Sequence, residues 1–175
     1  MVTRNSDSEN PLGRFIAVQG KGGKTTLSKA LARRFDLGFI EQDEIRHQAN
    51  WVELSNEEHR QVLNNLFDEY SSGWVSDGNY RAISDMIFPR VETLIVLALP
   101  WRVMLWRTFK RTFKRVLFRQ ELWNGNKETF RGSFLSKNSV VYDLWRRREL
   151  FRNVASRARE NAPENCRVIV IESAR

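Results

Sequence analysis

The residues best suited to chemistry stand in the stretch FIAVQGKGGKTTLSKALARRF, at residues 15 to 35. A phosphate-binding loop has the pattern G-x-x-x-x-G-K-[ST], in which backbone N–H groups surround the β-phosphate, the lysine neutralises phosphate oxygens and the hydroxyl holds Mg²⁺. Gly23, Lys24 and Thr25 supply the end of this pattern. The candidate phosphate-binding residues are therefore Gly20, Gly22, Gly23, Lys24, Thr25 and Thr26.

This stretch is two residues shorter than a complete phosphate loop. Only Lys21 and Gly22 stand between Gly20 and Gly23, where the pattern requires four residues. The shortening removes up to roughly 7 Å of chain and about two N–H donors. At about 1.5–3 kcal/mol for each charge-assisted bond, the loss is about 3–6 kcal/mol, or on the order of a hundred- to ten-thousandfold in affinity. A tight turn that only leads into a helix is the alternative interpretation.

Five short apolar segments alternate with helical segments and must position these residues. The pattern predicts strands at residues 14–18, 38–43, 73–80, 93–100 and 167–173, and helices at residues 25–35, 55–70, 101–118 and 139–160. Ser55 followed by Glu58 is a capping-box signature for the second helix. The fourth strand, TLIVLALP, is a continuous apolar run that is typical of a strand buried on both faces. The alternation predicts a three-layer α/β domain with a parallel sheet.

Two aspartates follow predicted strands, where ligands of parallel sheets bind. Asp77, after the third strand, is the candidate for the Mg²⁺ shell together with Thr25, or for orienting an acceptor hydroxyl. The sequence DGN at residues 77–79 is also ordinary turn chemistry. Asp43, after the second strand, is a candidate for binding or deprotonating the acceptor. Its alternative role is that of a helix N-cap.

The helical stretch WRVMLWRTFKRTFKRVLFR supplies candidate cations. Its arginines recur every four residues and form a slowly drifting stripe on one helix face: Arg107, Arg111, Arg115 and Arg119. The guanidinium fork matches phosphate geometry, so Arg111 and Arg115 are the candidate catalytic cations, and the other two are candidates for substrate binding. A solvated amphipathic helix is the alternative. Trp123, in LWNGN, either stacks on a ligand or packs under a lid.

Length and charge limit the classes of protein to which this chain can belong. At 175 residues, we expect residues 1–175 to form one domain with a flexible lead-in at residues 1–12. The net charge is +8, and its basic excess lies between residues 101 and 159. Nucleotide phosphates, nucleic acid, an anionic membrane or solvent can each face such a segment, but no base-reading motif supports nucleic-acid binding. No apolar run is long enough for a membrane span or signal segment, which favours a cytoplasmic protein without a membrane partner.

Cysteine and histidine do not provide a metal site in the sequence pattern. Cys166 is the single cysteine, and His47 and His59 are the two histidines. These residues do not have the spacing of zinc ligands. Any metal is therefore expected to be held by oxygen ligands and phosphate.

Several motifs in order resemble one family of kinases. They are Asp43, the phrase WVSDGNY at residues 74–80, LIVLALP leading into the arginine-rich helix, and RQELWNGNKE at residues 119–128. From about Arg14 to Arg148 the chain is similar to the P-loop kinases related to adenylate kinase, of the group described as DNA topology modulation proteins. The resemblance implies a P-loop NTPase fold with sheet order 2-3-1-4-5, a mobile helical lid at about residues 107–138, and ATP with Mg²⁺ as cofactors.

Two functions are consistent with these patterns. The first is an ATP-binding kinase that transfers the γ-phosphate to a nucleotide or another small acceptor bearing a phosphate or hydroxyl group, impaired by its short loop. The alternative is a non-catalytic protein of the same fold that binds an anionic partner, nucleic acid, through its basic helix. No motif in the sequence supports a third possibility, a purely structural module.

Overall fold

The computed structural model describes residues 11–79, 81–135, 139–146, 148–149 and 153–173. Its centre is a five-stranded parallel sheet. The strands are β1 (Phe15–Gly20), β2 (Gly38–Glu41), β3 (Trp74–Asp77), β4 (Thr93–Leu97) and β5 (Arg167–Ile171). Their order across the sheet is β2-β3-β1-β4-β5, which confirms the predicted α/β fold and the order 2-3-1-4-5.

Helices connect these strands. They are α1 (Lys24–Phe35), α2 (Gln42–Arg46), α3 (Asn56–Glu69), α4 (Ser84–Ile87), α5 (Trp101–Leu117), α6 (Val140–Arg146) and α7 (Val154–Asn161). Single 3₁₀ turns lie at Ala49–Trp51, Arg81–Ile83, Phe88–Arg90 and Trp123–Gly125, and a π-helical turn at Arg131–Leu135. The predicted capping box of α3 is confirmed: Ser55 and Glu58 exchange hydrogen bonds between side chain and backbone.

The predicted end of β2 is wrong, and so is the predicted position of Arg119 on the arginine stripe. Strand β2 ends at Glu41, because the chain turns directly into α2. Asp43 therefore lies in the first turn of α2, and the N-cap of that helix is Glu41. Helix α5 ends at Leu117, and Arg119 beyond it has a left-handed backbone with φ 46°. Arg119 is thus not on the helix face that carries the other three arginines.

Apolar side chains fill the space on both faces of the sheet and produce three layers. One core lies between the sheet and α1, and it contains Ile16, Val18, Ala32, Val75 and Ile95. The other lies between the sheet and α3, α4 and α7, and it contains Ala17, Leu63, Phe67, Met86, Leu94, Val96 and Ala158. All five residues of β4 are buried, as its unbroken apolar sequence predicts. Helices α5 and α6 pack together through Met104 and Leu144.

The carboxyl ends of the strands meet at one edge of the sheet. Strand β1 is central, with Val18 opposite Asp77 of β3 and Gly20 opposite Leu97 of β4. Asp77 is also opposite Glu41 of β2. The loop that follows β1 therefore emerges beside the last residues of β3 and β4, with the end of β2 one strand further away.

Two residues of the predicted flexible lead-in are held in place. The carbonyl oxygens of Pro11 and Leu12 accept hydrogen bonds from the side chains of Arg167 and Thr93. Residues 1–10 lie outside the described residues, as do residues 136–138 at the end of the predicted lid. Within the described chain, no helix has the length and apolar character needed to cross a bilayer.

Candidate nucleotide and acceptor site

The phosphate loop, residues 20–25, joins β1 to α1. Its glycines adopt positive φ angles, of 104° at Gly20, 86° at Gly22 and 152° at Gly23. Gly20 is also required by close packing, since a Cβ there would overlap the carbonyl oxygen of Leu97 on β4. The three glycines therefore allow a turn that other residues would make only with strain.

Helix α1 begins without a side-chain cap. Gly23 is the N-cap residue, and its carbonyl accepts the first helical hydrogen bond from the Leu27 N–H, at 3.0 Å. The N–H groups of residues 23–26 consequently have no acceptor inside the helix. Backbone donors at the positive end of a helix dipole favour an anion, which agrees with the predicted phosphate contacts of Gly23, Lys24, Thr25 and Thr26.

Lys24, Thr25 and Asp77 form the polar centre of the site. Asp77 stands at the end of β3 and is only 3% exposed. Lys24 Nζ lies 2.9 Å from Asp77 Oδ1, and the Thr25 hydroxyl donates a 2.5 Å hydrogen bond to Asp77 Oδ2. The structure thus brings the predicted site residues Lys24 and Thr25 into contact with Asp77, which lies about fifty residues further along the chain.

The oxygen atoms at this centre suit Mg²⁺. Asp77 Oδ1 is buried and, although it pairs with Lys24, it accepts no hydrogen bond from any described residue. Carboxylate and hydroxyl oxygens are ligands that Mg²⁺ accepts, usually together with phosphate oxygens and water. Among the described residues, no group of three His, Cys, Asp or Glu side chains could hold a metal. A cation held by Thr25 and Asp77 would therefore complete its shell with phosphate and water.

Asn79 fixes the start of the loop, a role that sequence reasoning missed. Its Oδ1 accepts a hydrogen bond from the Gly20 N–H and its Nδ2 donates to the Gly20 carbonyl, both at 3.0 Å. The Gly20 N–H is thereby occupied, so Gly20 shapes the loop rather than donating to a phosphate. The only signal in the sequence was DGN, which also fits an ordinary turn.

Arg107 supports the loop from the side of α5. Its Nη1 donates a 2.9 Å hydrogen bond to the Gly22 carbonyl. Met104, one turn earlier, is buried and its Cα would stand 3.5 Å from a Cβ on Gly22. Arg107 was predicted to bind substrate, and in the structure its described contact is with the loop backbone.

Arg111 and Arg115 lie on the α5 face that points toward the site. Arg115 Nη1 forms an ion pair of 3.2 Å with Glu128 Oε1. Desolvation of the guanidinium and the nearby charge of Arg115 lower the pKa of Arg111, whereas Glu128, Asp43 and Asp77 raise it. Arg111 therefore lies within electrostatic reach of three carboxylates, one of them at the phosphate loop.

Asp43 and Arg119 differ in their placement. Asp43 is half-buried in the first turn of α2 and contributes to the electrostatics of Arg111. Arg119 is exposed beyond the end of α5. No described contact joins its side chain to the other candidate residues, because the helix that would have aligned it has already ended.

The lid loop, residues 121–127, rests on the α2 segment, residues 41–53. Asn126 is 3% exposed: its Oδ1 accepts from the Trp51 N–H at 2.8 Å, and its Nδ2 donates to the Gln48 carbonyl at 2.8 Å. Trp123 Nε1 donates a 2.8 Å hydrogen bond to Glu41 Oε1. The Trp123 ring stacks on the His47 ring, with 6.0 Å between the ring centroids. Of the two roles foreseen for Trp123, packing under the lid is the one that the geometry supports.

Known proteins were compared with the chain at the level of family, sequence and fold. No family model matches it, and neither does any curated protein. A gluconokinase from Sinorhizobium meliloti 1021 is structurally similar, with a TM-score of 0.50 and 17% sequence identity over 93% of this chain and 85% of that chain. The chain has a P-loop kinase fold. In open parallel α/β sheets, ligands bind at the carboxyl ends of the strands, which is the edge where Gly23, Lys24 and Asp77 lie.

Proposed function

We propose that this protein is a small-molecule kinase that transfers the γ-phosphate of ATP, with Mg²⁺, to a hydroxyl or phosphate acceptor. The observation that carries the proposal is the contact of Lys24 and Thr25 with buried Asp77 at the start of α1. Such a site provides a cationic loop and a magnesium carboxylate, which phosphoryl transfer requires. The neighbour of similar fold is a gluconokinase. Within the kinases of this fold, the motif WVSDGNY and its neighbouring motifs support the topology modulation group as the family that we propose.

Each residue has a role in the proposed transfer. The N–H groups of residues 23–26 and the Lys24 ammonium bind the β- and γ-phosphates. Arg111 and Arg115 neutralise charge on the transferred group. An acceptor oxygen forms a bond to the γ-phosphorus while the bond to the bridging oxygen of ADP breaks, and Asp43 takes the acceptor proton. Mg²⁺, when bound, offsets phosphate charge.

The short loop sets an expectation for nucleotide affinity. One N–H that a longer loop would offer is lost to Asn79, and the missing residues remove further donors. Lys24 must also leave its ion pair with Asp77, in whole or in part, to reach a phosphate. We therefore expect ATP to bind in the high micromolar to millimolar range, with on the order of 100 μM as the lower end.

Calorimetry with Mg-ATP tests nucleotide binding directly. We expect heat of binding in the wild-type protein and in Lys110→Ala, an exposed lysine on the outer face of α5. Lys24→Ala is expected to abolish the heat, because it removes the cation that neutralises the phosphates. Absence of heat up to millimolar nucleotide would contradict the proposal.

A second candidate function rests on the outer face of α5. Its 17 residues include six arginine or lysine residues and no acidic residue. Trp106, Phe109 and Phe113 are 64%, 40% and 47% exposed and stack on each other along this face. A basic helix with exposed aromatic rings suits single-stranded nucleic acid. A gel shift at low salt that is lost in Lys110→Glu with Lys114→Glu would support this candidate, and no shift would remove it.

A further inference from the structure

A cavity of about 530 Å³ lies between the α2 segment and the chain that follows the lid loop. Its lining includes Trp51, Thr112, Lys127, Glu128, Ser133 and Ser139. Thr112 and Ser139 are each only 3% exposed. The cavity is therefore bordered by one large aromatic ring, several hydroxyl groups and one carboxylate.

Trp51 is held at the cavity in an unusual conformation. Its φ is 59°, in the left-handed region that large side chains seldom adopt. The lid loop holds it there: Asn126 accepts from its N–H at 2.8 Å, and its indole N–H reaches the Lys127 carbonyl at 3.4 Å. Strained residues persist where neighbouring groups over-determine them, and they cluster at binding sites. The lid loop and the α2 segment thus jointly set the position of this ring.

The two carboxylate oxygens of Glu128 differ: one is ion-paired, and the other has no hydrogen-bond partner among the described residues. Its Oε1 pairs with Arg115 at 3.2 Å. Its Oε2 is buried and has no hydrogen-bond partner in the described part of the chain. An unpaired buried carboxylate oxygen is costly unless a ligand supplies a donor. Thr112 of the cavity lining lies on α5 roughly one and a half turns beyond Arg107, which donates to the Gly22 carbonyl, so α5 connects the cavity with the phosphate loop.

We infer that this cavity binds the acceptor, and that the acceptor is a neutral polyhydroxylated molecule of the sugar or polyol class. This inference rests on the proposed kinase function and adds the acceptor class. Glu128 Oε2 accepts a hydrogen bond from an acceptor hydroxyl, and the Trp51 ring packs on the apolar face of the ligand. A nucleoside monophosphate suits the cavity less well, because its ionised phosphate has only acceptor oxygens and cannot donate a hydrogen bond to Glu128 Oε2. Lys127 is the one arginine or lysine among the described lining residues, and it is already paired with Glu121.

Ligand-detected NMR in the absence of ATP tests binding in the cavity independently of catalysis. The probes are D-glucose, D-ribose, D-glucitol and glycerol, with AMP and UMP as the opposing set. We expect saturation transfer from the protein to at least one sugar or polyol and to neither nucleotide. Glu128→Gln and Trp51→Ala should each weaken this binding by about tenfold or more. The matched controls Glu164→Gln and Trp145→Ala, both exposed residues away from the cavity, should not change it.

The rate of ADP release from Mg-ATP, measured with and without each sugar or polyol, supplies the second readout. The polyol that binds should accelerate ADP release, and Glu128→Gln should raise its KM by about tenfold with a smaller change in kcat. Acceleration by AMP or UMP alone would overturn the inference. Absence of saturation transfer to every sugar and polyol, or transfer that survives Glu128→Gln, would also overturn it. Sugar binding without ADP release would uphold the cavity assignment and count against the proposed kinase function instead.

Discussion

In the phosphate loop, the candidate phosphate contacts come from consecutive residues, whereas in the lid loop the contacting side chains bind partners 75 to 82 positions away. The phosphate loop takes its shape from glycines at positive φ and from the helix that follows. The lid loop takes its position from Trp123, Asn124 and Asn126, which contact the α2 segment. A short local motif can thus specify a candidate phosphate site, whereas the proposed acceptor site needs two distant segments to meet.

The lid loop and the α2 segment contain turns of similar construction. Each is closed by an antiparallel bridge, Glu121 with Lys127 and His47 with Glu53. Each contains a left-handed asparagine inside a 3₁₀ turn, Asn124 with φ 54° and Asn50 with φ 60°. Asparagine is well suited to this conformation. The two turns then bind one another rather than the phosphate loop.

The largest effect is expected at the phosphate loop, from Asp77→Asn. The change keeps the shape of the side chain but removes the charge that pairs with Lys24 and accepts from Thr25. We expect kcat to fall by about 10²- to 10³-fold, because the carboxylate that would help to hold Mg²⁺ beside the transferred phosphate is lost. Steady-state ADP release measures the change. Asp85→Asn, at an exposed ion pair with Arg60, is the matched control, and an equal loss there would contradict the assignment.

Lengthening the phosphate loop tests whether its geometry limits affinity. Insertion of Ser-Gly after Gly23 restores the complete loop pattern, and we expect the Kd for Mg-ATP to fall by about a hundredfold through recovered N–H donors. The same insertion after Gly125 of the lid loop, where a Cβ would meet nothing within 4 Å, is the control and should leave nucleotide affinity unchanged. Calorimetry compares the two, and equal affinities would show that loop length does not limit binding.

Asn126→Ala tests the long-range character of the lid loop. Removal of the amide leaves the Trp51 N–H and the Gln48 carbonyl without their partner, whereas the Trp123 carbonyl keeps its bond from the Asn126 N–H. We expect the free energy of unfolding to fall by about 2–3 kcal/mol, measured by urea denaturation. Asn65→Ala on the exposed side of α3 is the control and should stay within about 0.5 kcal/mol of the wild type. A fall no larger than that of the control would mean that the lid loop does not depend on Asn126.

A pH dependence of stability is expected from the buried support of the α2 segment. His59 hydrogen-bonds Gln42 at 2.8 Å, and burial together with the charge of Arg46 lowers its pKa from 6.5 to about 4. The unfolded chain therefore binds more protons between these values, so stability falls as the pH drops from 6.5 to about 4. The slope is at most about 1.4 kcal/mol per pH unit. Urea unfolding across this range should show the slope in the wild type and lose it in His59→Gln; a slope that persists would contradict the assignment.

The sequence determined the fold and the phosphate loop through local signals. The apolar run of β4, the capping box at Ser55 and the motif ending in Gly23, Lys24 and Thr25 depend on neighbours within a few residues. Asp77 was also predictable, because the end of a parallel strand beside the loop is a fixed position in this architecture.

Only the tertiary structure decided how the acceptor side is built. The bonds of Asn79 to Gly20 and of Asn126 to Trp51, and the buried oxygen of Glu128 without a described hydrogen-bond partner, each depend on which distant segments meet. Arg119 illustrates the opposite case, since its four-residue spacing suggested a site residue but α5 ended before reaching it. Periodicity and motifs report local preference, whereas a pairing between side chains far apart in sequence depends on how the packed helices and loops meet, which no short stretch encodes.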